Sequence, residues 1–217
     1  MSTQTVNKIS ILIVDDHPLL RMGTRTLLEK IPDFCVVGEA GDEDEARKLL
    51  DKFHPTILLL DLVMPDFSPS IFEKWVQENY PETVTLVFTA HHQVAYLANM
   101  MDAGAAGYLD KKMEGSDLAI SIRRAARGES LFDEQQMLLA RYWHEVVEEK
   151  WNSLSERERQ ILCLLADGVS NKDMASHLQI RQKTVEKHLE KIYQKLEVDS
   201  RAKAVLWGVR HRGDFPY

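Results

Sequence analysis

ISILIVDDHP, residues 9–18, is a strand-sized apolar run that ends in two aspartates. Working outward from it, further β-rich apolar runs are predicted at Cys35–Glu39, Thr56–Leu60, Val84–Thr89 and Ala106–Leu109. Helical patterns fall between and after them, at about 17–30, 42–53, 69–79, 92–103 and 115–127. Gly41-Asp42 and Pro69-Ser70 stand near helix starts, and Gly104 follows a helix end. Strands that are apolar almost throughout must be covered on both faces. Five such βα repeats therefore predict an α/β fold, a doubly wound five-stranded parallel sheet.

Open sheets of this kind bind ligands outside the carboxyl ends of their strands. The residues to read are therefore those at the strand ends: Asp15 and Asp16, Asp61, Thr89 and Lys111. Clustered aspartates are costly unless a hard cation neutralises them, and Mg²⁺ takes one or two carboxylates while keeping waters. Asp15 and Asp16 suit that role. Asp61 can act as a nucleophile that forms an acyl phosphate. Lys111 and Thr89 can then meet the phosphoryl oxygens as a cation and a hydrogen-bond donor. Each residue alone is ordinary strand-end chemistry; all five on one rim point to phosphoryl transfer. His91-His92 lacks a third ligand at metal spacing and reads as a pair of surface histidines.

With 217 residues the chain has room for two small domains, and 44% hydrophobic with 28% charged residues argues against wholesale disorder. No apolar run approaches the ~20 residues of a membrane helix, and residues 1–8 carry no secretory pattern. Cys35 and Cys163, far apart in apolar surroundings, form no disulfide framework. The expectation is a cytoplasmic protein with no membrane partner. The net charge of −7 is uneven: residues 1–128 hold 19 acidic and 13 basic side chains, residues 153–217 hold 9 and 12. The excess of positive charge in the tail is compatible with an anionic partner.

The boundaries expected are 1–128 for the α/β domain, 129–152 for a helical linker and 153–217 for a small all-α domain. Met137, Leu138, Tyr142 or Trp143, Val146 and Trp151 approximate the linker's apolar stripe. In the tail, Ser155 precedes Glu156 and Glu158 as an N-cap would, and Asp167-Gly168 ends that helix. A short helix Asn171–Leu178, a turn at Gln179–Arg181 and a longer helix Gln182–Leu196 then match a helix-turn-helix. Val185, Leu189, Ile192 and Leu196 form the buried stripe of the longer helix. Lys183, Lys187, Lys191 and Lys195 recur every fourth residue on its other side, a row able to neutralise DNA phosphates.

The segments VDDHP (14–18), LLLDLVMP (58–65), FTA (88–90) and GYLDK (107–111) resemble the receiver domain of two-component response regulators. The tail from Leu154 to Val205 resembles the NarL/FixJ (LuxR-type) output domain, with Thr184 and His188 in that family's TVxxH pattern. The resemblance implies a DNA-binding transcription regulator whose Asp61 is phosphorylated by a sensor histidine kinase. Asp15, Asp16, Asp61 and the Val63 carbonyl are then expected around Mg²⁺. Thr89 is expected to turn towards the phosphoryl group, and Tyr108 to swing inward as the switch. Phosphorylation is expected to control homodimerisation and binding to double-stranded promoter DNA. On the same resemblance Lys187 and Glu190 face bases, with Glu186 beside them, while Lys172, Lys183, Thr184 and Lys191 hold the backbone.

The chain departs from the family at Pro69, where a glycine is common, at Lys112, where a proline is common, and at Glu186 and Glu190, where relatives carry lysine or other DNA-contacting residues. The two glutamates keep open a regulator that works without phosphorylation, or whose tail binds protein rather than DNA. A dehalogenase-like phosphatase would need a second aspartate two residues after Asp61, where Val63 stands. No enzyme is expected.

Overall fold

Five strands form one parallel sheet in the computed structural model, which describes residues 8–210: β1 (Ile9–Val14), β2 (Phe34–Ala40), β3 (Ile57–Leu60), β4 (Val84–Thr89) and β5 (Gly107–Asp110), in the order β2-β1-β3-β4-β5. Five helices alternate with them: α1 (Pro18–Leu28), α2 (Glu43–Phe53), α3 (Pro69–Asn79), α4 (Val94–Ala103) and α5 (Gly115–Ala125). Successive strand residues face opposite sides, so each strand feeds two cores. Leu12, Val14, Leu58, Leu60 and Val87 pack with residues of α2, α3 and α4. Ile11, Ile13, Ile57, Leu59 and Leu86 pack with residues of α1 and α5. That double burial is why the strands are apolar throughout, and the doubly wound reading holds.

The register sets the rim. Val14 pairs with Leu60, so the residues that follow, Asp15 and Asp61, leave neighbouring strands side by side. Thr89 pairs with Asp110, which brings Lys111 to the same edge. After Asp61 the loop passes through Asp66, at a left-handed φ of 53°, and Pro69 takes the first turn of α3, where its missing N–H costs nothing. Cys35 is exposed on β2, not set in apolar surroundings, because β2 is an edge strand.

Residues 8–92 and 96–138 make one compact unit, and residues 139–210 belong to a second. The division falls inside the segment read as a linker. Its first part lies along β5: Leu131 N–H donates to the Ala106 carbonyl at 2.7 Å, and Gln136 Nε2 donates to the Tyr108 carbonyl at 3.1 Å. Alternate carbonyls of an edge strand point the same way, so these two contacts cap groups that the sheet leaves open. Gly107 permits the approach, since a Cβ there would stand 2.8 Å from Leu131 Cβ.

The segment is helical from α6 (Glu134–Tyr142) through a π-helical stretch (Trp143–Glu148) to α7 (Glu149–Ser153). The expected stripe needs correcting. Ala140, Trp143, Val147 and Trp151 are buried, whereas Met137, Leu138 and Tyr142 are 47%, 56% and 55% exposed. The π-helical turn takes more residues than an α-helical turn, which keeps the four-residue spacing of Trp143, Val147 and Trp151 in line.

In the second unit, α8 (Glu156–Ala166) begins with a capping box between Ser155 and Glu158. There follow α9 (Asn171–His177), capped by Ser170, α10 (Gln182–Leu196) and α11 (Arg201–Arg210). Gln179, at φ 53°, makes the turn between α9 and α10. Val185, Leu189, Ile192 and Leu196 are buried, as their spacing predicts.

Candidate functional site

Asp15 and Asp61 are each 4% exposed at the rim, and Lys111 Nζ lies 2.7 Å from Oδ2 of both. Neighbouring N–H groups hold the remaining oxygens: His17 N–H donates to Asp15 Oδ1 and Leu62 N–H to Asp61 Oδ1, both at 2.8 Å. The Arg21 guanidinium also donates to the Asp15 carbonyl. Asp16 stands beside them, its Oδ1 buried without a hydrogen-bond partner although His17 Nδ1 is 2.6 Å away.

Ligand atoms of Asp15, Asp16, His17 and Asp61 all lie within 4.8 Å of one another. Three carboxylates share one lysine, which reaches only Asp15 and Asp61, and Asp16 Oδ1 is left without a hydrogen bond. A hard divalent cation meets both needs, so the residues present fit Mg²⁺. Val63, expected from the resemblance to lend its carbonyl, is 37% exposed on the loop just after this set. Sequence pattern alone does not mark His17 and Arg21 as site residues. For His17 the signal is direct adjacency to two aspartates; Arg21 lies four residues further along α1.

Thr89 is fully buried at the end of β4, and its Oγ1 accepts from His91 N–H at 3.3 Å. Tyr108, 7% exposed, points inward, and its hydroxyl donates to the His91 carbonyl at 2.6 Å. Burial, with Tyr96 and Asp61 nearby, raises the Tyr108 pKa, so its hydroxyl stays protonated and a donor. His91 and His92 are exposed, as the reading of surface histidines has it, and His92 Nε2 lies 3.3 Å from Asp110 Oδ2.

On α10, Lys183, Glu186, Lys187, Glu190 and Lys191 are exposed and Thr184 is half-buried, while Lys172 is exposed on α9. Gln182 Nε2 donates to Glu186 Oε1 at 3.1 Å. Lys195 leaves the expected lysine row. Its Nζ binds Glu158 Oε2 and the Ser153 carbonyl, both at 2.7 Å, inside the domain. Residues four apart drift by about 40° per step on an α-helix, so the fourth lysine is turned about 120° from the first. Burial pushes the Glu158 carboxyl up, but hydrogen bonds from Lys195 and Ser155 outweigh it and hold the pKa below its usual value.

Residues 11–123 match the family model for response regulator receiver domains, and residues 152–207 match that for bacterial regulatory proteins of the luxR family. The response regulator protein VraR of Staphylococcus aureus is 33% identical over 203 residues, 94% of this chain and 97% of that protein. Among solved structures, the response regulator ChrA of a heme-sensing two-component system is 29% identical, with a TM-score of 0.57 over 95% of this chain and 98% of that one. RcsB from Salmonella enterica serovar Typhimurium, solved on promoter rprA with the phosphomimetic BeF3-, is 25% identical, with a TM-score of 0.55 over 93% and 98%.

A parallel sheet with an acidic rim, followed by a helix-turn-helix, defines a signalling protein with a DNA-binding output, in a family that is regulatory and not a classical enzyme family. The chain belongs to the two-component response regulators, as a receiver domain joined to a LuxR-type DNA-binding domain. No helix among the described residues is long and apolar enough to cross a membrane.

Proposed function

We propose that this regulator is switched by phosphorylation of Asp61 by a sensor histidine kinase in the cytoplasm. The observation that carries the reading is Lys111, whose ammonium bridges Asp15 and Asp61 at 2.7 Å each. Leu62 N–H fixes one oxygen of Asp61 and leaves the other facing the cationic side of the pocket. In the reaction the phosphorus–nitrogen bond of a phosphohistidine breaks and a phosphorus–oxygen bond to Asp61 forms. The leaving imidazole takes up a proton. Asp15, Asp16, Asp61 and the Val63 carbonyl would hold Mg²⁺, which when bound would neutralise charge on the phosphoryl oxygens. Lys111 pairs with another of these oxygens, and the Thr89 hydroxyl donates to a third.

Thr89 and Tyr108 both bond the backbone of His91, so recruiting Thr89 to a phosphoryl group alters the loop that holds Tyr108. The bias this places on Tyr108 and the surrounding surface controls homodimerisation and hence promoter binding. In the tail Lys172, Lys183, Thr184 and Lys191 hold phosphates, while Lys187, Glu186 and Glu190 face bases.

Intact-protein mass spectrometry after Mg²⁺ and acetyl phosphate, with sedimentation of the same samples, tests this. One added phosphate, absent from Asp61→Asn and accompanied by dimerisation, is the expected result. A folded protein that acquires no adduct under fast quenching overturns it. Promoter affinity should also fall steeply as salt rises.

A further inference from the structure

We infer that His17 is a ligand of the cation in the acidic pocket, and that its nitrogen shifts the preference of the site from Mg²⁺ towards first-row transition ions. The inference rests on the cation site proposed above. It differs from it in adding a nitrogen donor to a set otherwise made of oxygen.

Three features of the geometry point this way. First, the side chain of His17 converges with the carboxylates: Nδ1 is 2.6 Å from Asp16 Oδ1 and 3.3 Å from Asp15 Oδ1. Second, Asp16 Oδ1 is buried and makes no hydrogen bond, even to that nitrogen. A ring nitrogen and a carboxylate oxygen that stand this close without hydrogen-bond alignment are arranged like neighbouring donors on one ion. With metal–ligand distances of about 2.1 Å, adjacent donors of an octahedral ion stand roughly 3 Å apart.

Third, the backbone holds the ring in place. His17 stands at the N-cap position of α1 with an extended backbone, φ −88° and ψ 102°, as the following Pro18 favours, and its N–H is tied to Asp15 Oδ1 at 2.8 Å. The imidazole thus reaches the pocket without reordering the chain. At 62% exposure its outer face stays open to water and ion exchange.

Donor chemistry then decides the ion. Mg²⁺ prefers oxygen and keeps its waters, whereas transition ions accept imidazole readily. Mn²⁺ is the natural probe, because it also tolerates the carboxylates and is paramagnetic.

The experiment adds one equivalent of Mn²⁺ to the full chain and records pulsed electron paramagnetic resonance for nitrogen coupling. The free-ion signal during Mg²⁺ competition gives the relative affinities. Wild type should show histidine nitrogen coupling. His17→Asn, which places a favourable capping residue at the start of α1, should lose the coupling and reduce the Mn²⁺:Mg²⁺ affinity ratio about tenfold. Mn²⁺ bound with no nitrogen coupling, in a manner abolished by Asp16→Asn, overturns the role of His17 and leaves the cation site standing. Failure of Mn²⁺ and Mg²⁺ to bind at all overturns both.

Discussion

The Tyr108 hydroxyl donates to the His91 carbonyl at 2.6 Å, joining β5 to the loop after β4. The amide of the same His91 bonds Thr89, so one peptide-bonded residue stands between the buried hydroxyl at the rim and the inward tyrosine. Tyr108→Phe keeps the ring in the core and deletes only this bond. Acetyl-phosphate labelling of Asp61 should survive, while the phosphorylation-dependent gain in dimerisation falls by about 1 kcal/mol, roughly fivefold. Labelling by mass spectrometry and dimer dissociation by sedimentation separate the two effects.

Excess negative charge at the rim predicts opposite effects of two substitutions. In chelator, Asp61→Asn removes repulsion and should stabilise the receiver by on the order of 1 kcal/mol. Lys111→Met strips two buried carboxylates of their counter-cation and should destabilise it by about 3 kcal/mol. Added Mg²⁺ should stabilise wild type more than Asp61→Asn. Urea unfolding with and without Mg²⁺ reads all three, and equal responses of wild type and Asp61→Asn would count against a cation at Asp61.

Glu73 is fully buried on α3, and burial lifts its pKa from 4.5 to about 7, against the opposing pull of Thr85 and of Gln77, whose Nε2 donates at 2.7 Å. The unfolded chain releases this proton first as pH rises. The folded state therefore holds more protons between pH 4.5 and 7, and stability falls across that window before levelling off above it. The loss should be about 3 kcal/mol. Glu73→Gln should flatten that slope and exceed wild type in stability at pH 8. Denaturation midpoints at pH 5 and pH 8 suffice; parallel slopes for the two proteins would show Glu73 charged throughout.

The lysines of α10 should separate by role. Lys191→Ala is expected to weaken DNA binding and reduce its salt dependence, with little change in melting temperature. Lys195→Met leaves Glu158 buried without its cation and should cost about 2–3 kcal/mol of stability. Glu190→Lys should strengthen non-specific DNA binding. Thermal melts and gel shifts at two salt concentrations check these outcomes, and unchanged affinity in Glu190→Lys would place that glutamate away from phosphate.

Gln136 closes the N-terminus of α6 against β5. Its side chain and backbone exchange hydrogen bonds with Asp133, at 3.1 and 2.7 Å, while Nε2 reaches the Tyr108 carbonyl. Gln136→Ala should fray the first turn of α6, visible as faster amide exchange over residues 134–138 at a stability cost of about 1 kcal/mol.

Much of this regulator is legible in one dimension. Strands buried on both faces must be apolar along their length, so the run before Asp15 and its four counterparts announced a doubly wound sheet. Once the strands are parallel, their carboxyl ends share an edge, which brings Asp15, Asp61, Thr89 and Lys111 together without knowledge of any contact. Period and capping likewise exposed the buried stripe of α10 and the start of α8. Pairing across long separations stayed hidden. Only tertiary structure decided that Lys195 turns inward to Glu158, that the linker divides at residue 138 with its first part covering the open edge of β5, and that His17 closes on Asp16. Each of these depends on which backbone groups and charges lie opposite one another after the chain folds back, and hydrophobic periodicity carries no record of that.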